Sequence, residues 1–256
     1  RELGASDGVQ VVATASHDSA SAVAAVPAPA EKNYAYLSSG TWSLLGIETS
    51  VPVISDKSRE FNFTNEGAAD GGIRFLKNIM GLWIMQECKH LWDAEGANDS
   101  YDDLTDMAEE SGPSQFDMDV DDDRFLKPGL IDDTMPDRIK AYARETGQPV
   151  PETKGEIVRG ILEGLARKYA ENVRSIEEIS GSPIEKLYIV GGGSKNLYLC
   201  KLAAEATGIP VLAGPKEATA IGNIMVQAIS MGELASFDEG RRLVLDSYEV
   251  VTYLPS

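Results

Sequence analysis

A histidine and an aspartate stand side by side at His17 and Asp18, and the chain contains only one other histidine. Imidazole and carboxylate groups commonly transfer protons in catalysis. The preceding residues 9–15, VQVVATA, are rich in valine and predict a buried β-strand, and the small residues over 17–25 predict a short helix. A carboxylate at the carboxyl end of a buried strand lies where open α/β sheets bind ligands, so Asp18 could accept a proton from a substrate hydroxyl. The alternative is structural, with Asp18 or Ser16 capping the helix and His17 packing locally.

Two glycine-containing turns form a second group of candidates. In YIVGGGSKN, residues 188–196, a predicted strand ends in three glycines and leads into a helix, an arrangement whose backbone amides can bind anions. Asn196 stands where a dinucleotide-binding fingerprint needs its third glycine, and the Gly-Lys-Ser/Thr ending of a Walker loop is missing, which argues against a dehydrogenase. In GPKEATAIGN, residues 214–223, Gly222 leaves an open patch on the predicted helix. Both features are open to two interpretations, a ligand site or ordinary tight turns and helix packing.

Polar amides and a histidine interrupt an otherwise apolar segment at residues 73–96, IRFLKNIMGLWIMQECKHLWDAEG. The spacing of its apolar residues predicts one long amphipathic helix. Asn78 and Gln86 would then lie about 80° apart around the helix axis and could face one ligand, or both could be surface residues. His90 falls near the predicted carboxyl terminus of the helix, where a cation is favoured by the helix dipole, so we interpret it as structural.

The overall charge and composition exclude several classes of partner. A net charge of −18 argues against a nucleic-acid or anionic-membrane surface, and no apolar run reaches the roughly 18 residues of a membrane span. The acidic residues 93–137 predict a solvated surface segment with a helix at 101–110. The run DMDVDDDRF within it is not a calcium loop, because Asp122 and Pro128 stand where glycine and glutamate are required. No metal site is predicted, and two cysteines without metal-ligand spacing indicate a reduced, cytoplasmic protein.

The remaining pattern predicts an α/β domain in which a mixed sheet is flanked by helices. NYAYLSSGTWSLLGIET predicts a hairpin broken around Ser38–Gly40, and EFNFTNEG predicts a further strand. From residue 154 the order becomes regular, with predicted strands KLYIVGG and IPVLAG separating predicted helices at 154–180, 195–207 and 216–232. The chain begins with Arg1 rather than methionine, and we expect it to be a piece of a longer chain.

Four motifs in the order SHDSASAV, YLSSGTWSLLGIE, VGGGSKN and AGPKEATAIGN resemble the C-terminal domain of the FGGY carbohydrate kinases. These kinases are a branch of the actin-like, ribonuclease H-like ATPases, and the resemblance spans nearly all of residues 1–256. The segments SSGTWSLLG, NFTNEG and RFLKNIMGLWIMQE narrow the resemblance to those members of the family that phosphorylate L-rhamnulose at O1. Such kinases have their active site between two domains, and the N-terminal sugar and phosphate domain is absent from this sequence. We therefore expect these residues to be inactive alone.

The resemblance implies a role for each position that matches a motif. Asp18 would be the catalytic base, and Mg²⁺ would bridge the phosphates of ATP. The positions implied for the sugar are His17, Ser19 and Asn78. The positions implied for ATP are Thr41, Gln86, Gly191, Gly192, Gly193 and Asn223. The alternatives are another FGGY ketose or polyol kinase, acting on fuculose or xylulose, and a non-catalytic actin-like module that binds nucleotide. Asp18 distinguishes the kinase hypotheses from the binding-module hypothesis, because a protein that only binds nucleotide needs no carboxylate at the end of that predicted strand.

Overall fold

The chain folds around one mixed β-sheet with helices on both faces. The computed structural model describes residue 4, residues 8–129 and residues 133–256. The strands in these parts of the chain are β1 (Tyr34–Ser39), β2 (Trp42–Thr49), β3 (Thr64–Gly67), β4 (Ile73–Met80), β5 (Lys186–Val190), β6 (Val211–Ala213) and β7 (Val251–Tyr253). The helices are α1 (Asp18–Ala24), α2 (Asp56–Glu60), α3 (Trp83–Ala94), α4 (Tyr101–Glu110), α5 (Met135–Glu145), α6 (Lys154–Ser180), α7 (Leu197–Thr207), α8 (Ala218–Ser230) and α9 (Phe237–Ser247).

The strand order β3-β4-β2-β1-β5-β6-β7 places the parallel strands β1, β5 and β6 next to one another. The other pairs are antiparallel, including the β1–β2 hairpin that turns at Gly40 and Thr41. The predictions of a mixed sheet and of this hairpin are confirmed. The carboxyl ends of β1 and β5 meet at one edge of the sheet, where this class of fold binds its ligands.

Two apolar cores cover the two faces of the sheet. The larger lies under α3, α4, α5, α6 and α7, and the smaller lies under α1 and α8. The 27-residue α6 crosses the larger core and is bounded by a capping box at Thr153 and by Gly181, whose φ of +70° suits glycine. The predicted helix over 154–180 is confirmed, and α7 and α8 each lie within two residues of their predicted bounds.

The predicted strand over residues 9–15 is wrong. These residues form an irregular segment, and the side chain of Val11 is 95% exposed. Valine favours strands only where a neighbouring strand supplies hydrogen bonds and a face to pack on. In the part of the chain that the structure describes, the seven strands of the sheet come from residues 34–253 and none of them pairs with the valine-rich run.

The predicted single helix over residues 73–96 is also wrong, because its first half is strand β4. Eight residue pairs join β4 to β2. The local pattern of apolar residues fits both a helix and a strand, and this long-range pairing determines that the segment is a strand. The change to helix comes at Gly81, where a Cβ would lie 2.6 Å from the carbonyl carbon of Trp42. Asn78 and Gln86 therefore do not share a helix.

The acidic segment is more ordered than a solvated loop. Helix α4 is confirmed at residues 101–110, and α5 begins at Met135, within the segment. The apolar side chains of DMDVDDDRF, those of Met118, Val120 and Phe125, are buried in the larger core. Alternation of buried and exposed side chains anchors this segment beside α6, where Asp119 pairs with Lys168 at 2.9 Å and Asp121 accepts from the N–H of Met80 at 3.0 Å.

Candidate active site

A cavity of about 450 Å³ opens at the sheet edge where β1 and β5 end. Four segments form its wall: the hairpin turn, the glycine turn after β5, and the starts of α3 and α4. The lining residues are Gly40, Leu82, Met85, Gln86, Ser100, Tyr101, Asp102, Thr105, Gly192, Gly193, Lys195 and Asn196. Three of the residues predicted to bind ATP, Gln86, Gly192 and Gly193, are among them, and Thr41 is adjacent to Gly40.

The two turns are in direct contact because β1 and β5 are neighbouring parallel strands. Gly191 has a φ of +86°, and its N–H donates to the carbonyl of Pro215 at 3.1 Å. A Cβ on Gly193 would lie 2.5 Å from the Cβ of Ser39, so a side chain there would overlap the end of β1. A Cβ on Gly192 would meet no atom within 4 Å. Glycine is thus required at 193 for packing, whereas Gly192 leaves the cavity accessible.

Helix α3 is tied to the hairpin turn by its first backbone amides. The N–H of Leu82 donates to Gly40 O at 3.1 Å and that of Trp83 donates to Thr41 O at 3.0 Å. This arrangement brings Gln86, which is half-buried in the first turns of α3, to the cavity wall. The change from strand to helix at Gly81 therefore places the Gln86 amide at the wall of the cavity.

The side chains from α4 and the start of α7 were missed from the sequence. Tyr101 and Thr105 project from α4, and Asn196 Nδ2 donates to Thr105 Oγ1 at 3.2 Å across the cavity wall. The spacing of Ser100 and Asp103 forms a capping box that marks the helix start, but it carries no information on what the helix faces. An aromatic ring, glycine backbone and the cationic Lys195 in one wall suit a flat heterocycle that carries anionic groups.

The His17–Asp18 pair lies at the start of α1, on the opposite face of the sheet. The cap is His17, not Asp18 or Ser16: its Nδ1 accepts the N–H of Ser19 at 3.3 Å and lies 2.6 Å from Ser19 Oγ. The Asp18 side chain is exposed and free of the capping role. The structure therefore gives the cap to His17 and leaves the carboxylate of Asp18 exposed at the start of α1.

Arg74 is a buried cation beneath the start of α1 that sequence reasoning also missed. It lies on β4, is 2% exposed, and its Nη1 donates to Ser19 Oγ at 3.1 Å. Its Nη2 pairs with Glu66 at 2.8 Å. Burial raises the pKa of the nearby Tyr36 hydroxyl, and the positive charge of Arg74 opposes that rise. An arginine in an apolar segment is a usable signal for such a role, because a buried charge needs dedicated partners.

The segment from Pro215 to Thr219 links α1 to the glycine turn. Thr219 Oγ1 donates to the carbonyl of Asp18 at 3.4 Å, while the carbonyl of Pro215 accepts from Gly191. Both helix starts, α1 and α8, therefore lie at the edge of the sheet that holds the cavity. The carboxylate of Asp18 and the glycine turn belong to one edge of the molecule.

The remaining predicted residues lie outside the cavity wall. Asn223, on α8, donates to Thr14 Oγ1 at 3.3 Å and so lies beside the segment that leads into α1. Asn78 is exposed on β4, opposite Leu44 of β2. Gly222 packs against the carbonyl oxygen of Ser21, so its open patch serves contact between α1 and α8.

Neither a metal cluster nor a membrane span occurs in the described part of the chain. In residues 8–129 and 133–256, no three histidine, cysteine, aspartate or glutamate side chains are grouped so that they could hold a metal ion. Within the same ranges, no helix has both the length and the apolar character needed to cross a membrane.

The family model for the C-terminal domain of the FGGY family of carbohydrate kinases matches residues 35–231. The chain belongs to the FGGY family. The FGGY domain is 47% identical over 247 residues to a rhamnulokinase from Bacteroides thetaiotaomicron, covering 96% of this chain and 49% of that protein. It is 42% identical over 243 residues to a rhamnulokinase from Oceanobacillus iheyensis, covering 95% of this chain and 50% of that protein. The chain thus spans about half the length of the curated relatives it matches.

The fold of the FGGY domain is shared with solved sugar kinases. It is similar to the crystal structure of xylulose kinase from Rhodospirillum rubrum, with 16% identity and a TM-score of 0.65, over 93% of this chain and 46% of that one. The predicted family and the predicted actin-like architecture, a mixed sheet flanked by helices, are both confirmed.

Proposed function

We propose that this FGGY domain is the nucleotide-binding half of a kinase that transfers phosphate from ATP to L-rhamnulose, forming L-rhamnulose 1-phosphate. The observation that carries the proposal is the cavity at the carboxyl ends of β1 and β5, whose wall contains Gln86, Gly192 and Gly193. The names of the two relatives support rhamnulose as the sugar.

ATP would enter the cavity with its base between α3, α4 and the glycine turn. The ring of Tyr101 offers a face for stacking, and the amide of Gln86 offers a donor and an acceptor to the base or ribose. Gly192 would lie against the nucleotide, and Gly191 and Gly193 would hold the turn in shape. The phosphates would extend past Thr41 toward the edge where α1 starts, and Asn223, which lies beside the segment that leads into α1, would contact the nucleotide there.

Mg²⁺ would arrive with ATP as part of the substrate. The magnesium ion is commonly held by phosphate oxygens and water with one or two carboxylates, and does not need an all-protein cage. This agrees with a cavity wall that combines backbone amides, the carboxylate of Asp102 and the cationic Lys195, which would contribute charge toward the phosphates rather than metal ligands.

Asp18 would act as the base. As the O1–phosphorus bond forms and the bond from the γ-phosphorus to the bridging oxygen breaks, the proton of O1 passes to the Asp18 carboxylate and ADP leaves. His17 and Asn78 would bind the other hydroxyls of the sugar, whereas Ser19, which is buried and contacts Nδ1 of His17, would act through His17. The exposed position of Asp18 at the start of α1 suits a group that meets its substrate from outside this domain.

The other half of the site would come from a second domain. The chain covers 49% of one rhamnulokinase and 50% of another, which supports an N-terminal partner domain in the same protein. We propose that the 256 residues alone bind MgATP weakly and do not turn over sugar. The two buried, unpaired thiols Cys88 and Cys200 support a reducing compartment such as the cytoplasm.

A coupled assay of ADP release tests the proposal directly. The full-length kinase carrying this domain is given L-rhamnulose, L-fuculose and D-xylulose in parallel, and kcat/KM is compared. We expect L-rhamnulose to be preferred. If another ketose is preferred, the proposed substrate is wrong and the proposed reaction stands. MgATP binding without turnover of any sugar would instead indicate a non-catalytic nucleotide-binding module.

A further inference from the structure

We propose that Arg74 is a positioning residue: acting through Ser19, it holds the imidazole of His17 in the tautomer that carries its proton on Nε2, directed at the sugar. The inference rests on the proposed function for its substrate. The placement of the three side chains is a property of the fold and can be tested without turnover.

The contacts of His17 decide its tautomer. The backbone N–H of Ser19 donates to Nδ1 at 3.3 Å, a long contact that favours an unprotonated Nδ1 but is too weak to fix the tautomer alone. The hydroxyl of Ser19 lies 2.6 Å from the same nitrogen. With Nδ1 acting as an acceptor, the hydroxyl of Ser19 donates to it, and the proton of the neutral ring lies on Nε2, at the exposed end of the side chain.

Arg74 fixes the direction of the Ser19 hydroxyl. An arginine can only donate, so its Nη1 contact at 3.1 Å makes Ser19 Oγ an acceptor on that side and leaves its proton for His17. Ser19 is itself buried, with 7% of its surface exposed. The sequence of donors therefore runs from Arg74 to Ser19 to His17 and ends at Nε2–H, which can donate to a sugar hydroxyl.

Arg74 is in turn held by two residues of β3. Its Nε donates to the carbonyl of Gly67 at 3.0 Å, and its Nη2 donates to Glu66, which is directly opposite it in the antiparallel pair β3–β4. The three nitrogens of the planar Arg74 guanidinium group thus donate to three different acceptors. Lysine has a single nitrogen on a flexible stem and cannot meet all three, so we expect Arg74→Lys to be a disruptive change.

Nuclear magnetic resonance of the imidazole nitrogens reads the tautomer without any substrate. The chain contains only His17 and His90, and a spectrum of His90→Gln assigns the two rings. We expect Nδ1 of His17 to be unprotonated and Nε2 to carry the proton. Ser19→Ala and Arg74→Lys should each raise the fraction of the Nδ1–H form. The matched control is Arg138→Lys, a buried arginine on α5 that pairs with Asp133 at 2.7 Å, and it should leave the His17 spectrum unchanged.

Kinetics of the full-length kinase then test whether the tautomer matters. Losing one oriented hydrogen bond should lower kcat/KM for the sugar by about tenfold in Ser19→Ala, while KM for ATP stays within a factor of about two. Ser19→Ala keeps Arg74 in place, so it answers the question even if Arg74→Lys does not fold. A His17 ring protonated on Nδ1 in the unaltered chain, or an unchanged tautomer in Ser19→Ala, would overturn the inference. The predicted tautomer together with no kinase activity would instead refute the proposed function and leave the positioning by Arg74 standing.

Discussion

Replacing Gly193 by alanine should destabilise the fold at the place where the two turns of the cavity meet. The added Cβ would lie 2.5 Å from Ser39 Cβ and would also overlap Ser39 Oγ. Ser39 is buried at the end of β1, next to β5, so neither turn can move without disturbing the central strand pair. The adjacent Gly192 provides a matched control, because a Cβ there meets no atom within 4 Å.

The size of the effect follows from the cost of overpacking. Adding a methyl group to a filled core costs about 1–3 kcal/mol. In a domain of this size each kcal/mol lowers Tm by about 2–4 °C, so we expect Gly193→Ala to lower Tm by about 2–12 °C. Gly192→Ala should stay within about 0.5 kcal/mol of the unaltered chain, as surface substitutions usually do.

Thermal and urea unfolding of Gly193→Ala, Ser39→Gly and the double variant form the assay. Removing the Ser39 side chain should relieve the overlap, so the double variant should be more stable than additivity predicts by at least about 1 kcal/mol. Gly192→Ala should instead weaken MgATP binding, because its methyl group enters the cavity. Gly193→Ala with unchanged stability, or with a purely additive double variant, would refute the account of how the turns pack.

Two substitutions and one labelling experiment test separate parts of the structure. Gly222→Ala should lower the urea midpoint, since its Cβ would overlap the carbonyl oxygen of Ser21 between α8 and α1; an unchanged midpoint would contradict that contact. Gln86→Ala should raise the Kd for MgATP about tenfold in calorimetry, the loss of one or two hydrogen bonds, without changing Tm; an equal Kd would remove Gln86 from the site. Burial raises the pKa of the Cys200 thiol to about 12 and also raises the pKa of Cys88, so neither should react with an aromatic disulfide at pH 8 until urea unfolds the chain. Rapid labelling of the native protein would show that one of them is accessible.

The elements that could be predicted from the sequence are those whose local signals agree with their surroundings. Helix α6 has a long apolar stripe, a capping box at Thr153 and Gly181 at its end, and each signal is intrinsic to the segment. Strand β5 and its glycine turn were likewise recognised, because a short apolar run ending in Gly191–Gly193 has few alternatives.

The predictions from the sequence were wrong where contacts with residues distant in the sequence determine the structure. Ile73–Met80 fits a helical period, yet pairing with β2 makes it a strand, and nothing within the segment reveals that partner. The valines at 9 and 11 have strand propensity but no strand beside them. For the same reason the α4 side chains at the cavity were not predicted, since Thr105 meets Asn196 only in the assembled fold.

Phosphoryl transfer by Asp18→Asn in the full-length kinase tests the central claim most directly. If Asp18 is the base that faces an ATP site in this domain, kcat with L-rhamnulose should fall by about 10²–10⁴-fold, because the amide cannot accept the proton. The Kd for MgATP should change less than about twofold, and Asp246→Asn on the exposed surface of α9 should behave like the unaltered enzyme. An Asp18→Asn enzyme that retains its kcat would contradict the claim.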